Sequence, residues 1–82
     1  MTASGPQANA KALAKRLLAE ASCRSLAEVP DDAAIGTWDG WDSLTHMRLI
    51  LTMEIRLGHE LPAEAVVRIE NLEQVAAHFR LA

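Results

Sequence analysis

The sequence predicts an all-α fold: a small four-helix bundle with three main helices and one short one. Half of the 82 residues are hydrophobic, tyrosine is absent, and β-branched residues never form a sustained alternating run. Such a composition, dominated by alanine and leucine, favours helices. Apolar residues recur at helical spacing in separate stretches, and Pro, Gly and Asp cluster between them. A chain of this length holds one domain. Residues 1–6 are expected to be a loose, flexible terminus and 7–82 the domain.

The first helix follows from Ala10, Leu13, Ala14, Leu17, Leu18 and Ala21, which fall at i, i+3, i+4, i+7, i+8 and i+11 and make one apolar stripe. It should end near Ser22–Cys23. Residues 23–42 then read as a long loop, with Pro30-Asp31-Asp32, Gly36 and Trp38-Asp39-Gly40-Trp41. Ordered loops of this length are uncommon in small domains and are often functional. Leu26, Val29, Ile35 and at least one tryptophan are the candidates to pin it to the core.

A second helix is expected over Ser43–Leu57, with Asp42 or Ser43 as N-cap and Gly58 as the stop. Thr45, Arg48, Thr52 and Arg56 share one narrow polar arc, and nearly every other position is apolar. One neighbouring helix cannot cover so wide an apolar surface. This helix is either central to the bundle or keeps part of its apolar side for a partner. Leu61-Pro62 opens a short helical turn over about 63–67, with Pro62 suited to its first position. Asn71 opens a last helix, with Gln74 three residues on in a pattern like a capping box. Leu72, Val75, Ala76 and Phe79 form its stripe.

The formal net charge is −3, from 8 basic and 11 acidic residues. That balance gives no general attraction for nucleic acid or anionic lipid. Cys23 is the single cysteine, so no internal disulfide can form, and a buried or bystander thiol is expected. No Cys/His cluster has metal-ligand spacing. No run approaches the ~20 apolar residues of a membrane span, and the first residues lack a signal peptide's apolar core. A cytoplasmic location and a monomer are the expectations.

Gly40-Trp41-Asp42-Ser43-Leu44 is the stretch that carries chemistry. A serine at a helix start, after a loop, is open to an incoming enzyme. A phosphodiester there would lie beside unpaired N–H groups and the positive end of the helix dipole, worth about 0.3–1 kcal/mol to an exposed anion. On these residues alone, Asp42 and Ser43 read as an ordinary helix cap.

The surrounding pattern resembles the acyl carrier protein family over nearly the whole chain. The matching features are the amphipathic first helix, the loop with Pro30-Asp31-Asp32 and Ile35, Asp42-Ser43-Leu44, the apolar second helix, Gly58, Leu61-Pro62, Ile69 and the Leu72…Phe79 helix. The resemblance implies a four-helix bundle whose Ser43 receives a phosphopantetheine arm from coenzyme A through a phosphopantetheinyl transferase. The arm would carry acyl groups as thioesters to acyl-loading and acyl-processing enzymes of a fatty-acid, polyketide or other specialised pathway. The chain itself would not be an enzyme. Asp42 matches the acidic residue that supports transfer. Leu44 and Met47 match apolar positions that partners touch, although plain packing explains them equally. Arg48, beside them, is a further candidate contact.

One departure stands out. Carriers of bulk fatty acid synthesis have a second helix rich in Asp and Glu, whereas here the matching surface holds Thr45, Arg48 and Arg56, with Glu54 the main acid. This implies a specialised carrier with its own enzymes, and the two tryptophans fit either that role or core anchoring. Aminoacyl and peptidyl carriers share the same serine and remain an alternative, as does a cofactor-free interaction module. A hydrolase built on Asp42, Ser43 and His46 lacks a pocket and places its acid beside the nucleophile. A DNA-binding helix would need more than Arg48 and Arg56.

Overall fold

A computed structural model describes residues 6–80, with side chains from residue 9. It contains helices α1 (Pro6–Ser22), α2 (Ser43–Leu57), α3 (Ala63–Arg68) and α4 (Leu72–Arg80), and a single 3-10 turn at Leu26–Glu28. This is the expected all-α bundle of three main helices and a short one. The flexible terminus expected over 1–6 lies outside the described residues, except Pro6, which already belongs to α1.

Helix α1 is the element on which both α2 and α4 pack, so α2 is not central to the bundle. The α1 stripe enters the core through Ala10, Ala14, Leu17, Leu18 and Ala21, with Leu13 partly buried. Leu49, Ile50 and Met53 meet it from α2, and Leu72, Val75 and Ala76 from α4. Each buried Leu, Ile, Met or Val among these contributes about 1.5–3 kcal/mol by leaving water, and each Ala less.

Helix α1 ends in a Schellman turn. Arg24 N–H donates to Ala19 C=O at 3.1 Å and Cys23 N–H to Glu20 C=O at 3.2 Å. Cys23 takes the left-handed position, φ 59°, usually held by glycine. Its thiol is exposed, which excludes the buried alternative. Helix α2 has the expected bounds, with Asp42 as N-cap and Gly58 at φ 81° closing the end. Pro62 is the N-cap of α3 and lies just outside its first helical position. At α4, Asn71 Oδ1 accepts from Gln74 N–H at 2.9 Å, while Gln74 Oε1 accepts from Glu70 N–H at 2.7 Å. The reciprocal bond thus reaches one residue further back than in a capping box.

The long loop is tied down at several points. Val29 and Trp41 are buried and Ile35 and Trp38 are partly buried, but Leu26 lies exposed on the 3-10 turn and anchors nothing. Ala34 bridges Asn71, and Ile35 N–H donates to Glu70 C=O at 2.9 Å. Lys15 Nζ reaches Asp31 Oδ1 at 2.7 Å. These bonds tie the loop to α1 and to the residues just before α4.

Candidate functional site

The turn before α2 is built on two tryptophans. A Cβ at Gly40 would stand 2.6 Å from Trp38 Cη2, so only glycine fits under that ring without displacing it. The Arg24 guanidinium lies 5.6 Å from the Trp38 ring centroid and 3.8 Å from the Asp39 carboxylate. Trp41 is wholly buried. Core anchoring therefore accounts for Trp41 and in part for Trp38.

Trp41 also begins a hydrogen-bond relay. Its Nε1–H donates to His46 Nδ1 at 3.1 Å, and His46 Nε2 lies 2.9 Å from Val66 C=O. Indole nitrogen can only donate, so Nδ1 accepts and the ring proton sits on Nε2, directed at the carbonyl. The relay joins the loop, α2 and α3 through one half-buried imidazole. Both ring nitrogens are engaged and neither remains for Ser43, which removes the arrangement that a Ser43–His46 dyad needs.

Asp42 Oδ1 accepts from Thr45 N–H at 2.9 Å, closing the first turn of α2. Bonds from the Thr45 backbone and side chain hold the Asp42 carboxyl below the usual carboxylate range. Ser43, the first residue of α2, is exposed, and no acidic residue lies in that first turn.

Leu44, Met47, Leu51 and Ile55 run along α2 from this serine, and all four are exposed. They fall at i, i+3, i+7 and i+11, one stripe about 16 Å long at 1.5 Å per residue. Arg48, Thr52 and Arg56 border it on one flank, with Arg48 and Arg56 exposed. Glu54 stands on the other flank, but its Oε2 accepts from Leu61 N–H at 2.8 Å. Thr45, placed by its spacing on the polar arc, is instead buried. The structure thus brings Ser43, Leu44, Met47 and Arg48 to one continuous surface.

Sequence reasoning missed the His46 relay and the internal use of Glu54. Val66 lies twenty residues from His46, and no local pattern links them. Among the described residues no group of His, Cys, Asp and Glu could hold a metal, and no helix is long and apolar enough to cross a membrane. Comparisons with protein-family models, curated proteins and solved structures return no match.

Proposed function

We propose that this chain is an acyl carrier protein whose Ser43 is the attachment point for phosphopantetheine. The observation that carries this reading is an exposed serine at the first residue of α2, heading an exposed apolar stripe. A serine used only as a cap needs no such surface beside it. The site also fits an attached phosphodiester: the hydroxyl is open, the first turn carries no acid, and the Asp42 carboxylate is turned to Thr45 N–H.

Ser43 Oγ would form the new P–O bond to the pantetheine-bearing phosphate of coenzyme A. The pyrophosphate bond breaks, adenosine bisphosphate leaves, and the hydroxyl proton passes to a base of the transferase. When attached, the arm's thiol carries an acyl group as a thioester. The chain's own residues hold and present that arm: Asp42 fixes the turn that exposes Ser43, and Leu44, Met47 and Arg48 meet the transferase and the acyl-processing enzymes. The scarcity of acidic residues on α2, with Glu54 against Arg48 and Arg56, suits a dedicated pathway in the cytoplasm.

The test is intact mass after treatment with a broad-specificity phosphopantetheinyl transferase and coenzyme A. One added phosphopantetheinyl group is expected in the wild type and none in Ser43→Ala. An unchanged wild-type mass, where a control carrier is modified, leaves only the cofactor-free interaction module.

A further inference from the structure

We infer that the exposed stripe of α2 docks into an apolar cleft edged by carboxylates on a partner protein. This rests on the reading of α2 as the surface that meets partners. Leu51 and Ile55, 57% and 82% exposed, extend the contact beyond the residues next to Ser43. Four large apolar side chains on one helix face form a patch that water solvates at a cost.

Charge selects the occupant. The row Arg48–Thr52–Arg56 runs beside the stripe, and among the described residues neither arginine is in an ion pair. Arg48 makes only a weak 3.7 Å contact to Cys23 Sγ. The opposing flank carries a single acid, Glu54, half-buried and bonded to Leu61 N–H, against the two exposed arginines of the row. What α2 presents is therefore apolar with a cationic edge, although the chain as a whole carries a charge of −3. A cleft with carboxylates along one edge satisfies both features, and a lysine-edged cleft meets like charge.

A second copy of the chain fits less well. In a two-fold pair with antiparallel α2 helices each flank faces its own copy, so arginine row meets arginine row. A parallel pair sets the two arginines of that row against one half-buried acid, Glu54, and leaves an arginine unmatched on each side. An anionic membrane would gain only two arginines here, against the net negative charge of the chain.

The experiment titrates the labelled full chain with two designed helical hairpins, followed by amide chemical shifts. They share one leucine-lined groove and differ only at its edge, Glu in one and Lys in the other. The Glu-edged hairpin should bind roughly tenfold tighter, the sum of two modest exposed pairs, with shifts confined to residues 44–56. R48E/R56E should reverse the preference, and Ile55→Glu should weaken binding to both hairpins while leaving the fold intact. Equal affinity, preference for the Lys edge, binding to neither hairpin, or shifts elsewhere overturns the inference. So does self-association of the chain abolished by Ile55→Glu, or equal binding of the stripe to phosphatidylserine vesicles. Ser43 loading, measured on the same sample, separates the two readings: a chain that loads but shows no edge preference retains the carrier function and loses this inference.

Discussion

Leu49 and Leu51 lie two residues apart on α2 and carry the same side chain, yet Leu49 is 0% exposed and Leu51 57%. The same division runs along the helix. Thr45, Leu49, Ile50 and Met53 are buried, whereas Leu44, Met47, Leu51 and Ile55 are exposed. Hydrophobicity alone does not distinguish the two sides. The inner side exists because α1 offers a complementary stripe, and the outer side is left exposed among the described residues. In an 82-residue domain with a small core, four outward apolar residues are surface withheld from folding. On the proposed carrier reading, their place beside Ser43 makes them a partner-facing surface.

The largest effect that can break this comparison is a pair of alanine substitutions. Leu49→Ala should cost about 2–5 kcal/mol, a large share of a small domain's stability, while Leu51→Ala should stay within about 0.5 kcal/mol. Urea titration of both variants measures this. Similar losses would mean that the outer face is packed after all.

His46 is half-buried on the same side of α2 as Met53 and Ile50, and it ties that side to the loop and α3. His46→Leu removes the acceptor of Trp41 Nε1–H and the donor to Val66 C=O, and stranding these groups should cost about 1–3 kcal/mol. Hydrogen exchange should show α3 opening ahead of α1 and α4. Uniform opening would mean that α3 is held by its apolar contacts, Val66 and the buried Ile69 at its C-cap, and not by the relay.

Acid gives a smaller effect. Bonds from Ser25 to Glu28, from Lys15 to Asp31 and from Thr45 to Asp42 hold all three carboxyls below their ordinary values. Carboxylates depressed in this way add stability that is fully present above the unfolded-state value, near pH 4, and is lost as pH falls through the folded values. Thermal midpoints should therefore be level from neutral pH to about pH 4 and decline below it. Asp42→Asn, which still caps α2, should flatten part of that decline. A decline beginning near pH 6 would assign the loss to other groups.

The smallest effect sharpens the reading of Arg48. Cys23 holds a left-handed backbone that costs an L-residue about 1–2 kcal/mol. Cys23→Gly relieves it, offset by glycine's unfolded-state entropy, so a net gain of about 0.5–1 kcal/mol is expected by thermal melting. A loss would show that the 3.7 Å contact with Arg48 matters for stability and that Arg48 is not free for a partner.

The legible parts of the fold were those with local signals. Asp42 and Gly58 bounded α2 because a cap and a left-handed stop act within a turn. The stripes of α1 and α4 were legible because each has one apolar side. The burial side of α2 was not, since a helix apolar nearly all round carries no directional signal, and Thr45 is buried where spacing placed it on a polar arc. Leu26 looked like an anchor by type, but the 3-10 turn directs it outward. At the site, Ser43, Asp42, Leu44 and Met47 could be named only through the whole-chain resemblance, because the local run alone reads as a helix cap, and Arg48 only as their neighbour. The bonds of His46 to Val66 and of Glu54 to Leu61 depend on tertiary placement that no local run encodes.

The central claim is tested most directly by isolating the chain from cells that co-produce a phosphopantetheinyl transferase, digesting it, and locating the added mass by fragmentation. The account requires one phosphopantetheinyl group, on Ser43 of the peptide containing Asp42-Ser43-Leu44, with Ser22 and Ser25 unmodified. An unmodified Ser43, or an arm on another serine, would contradict it.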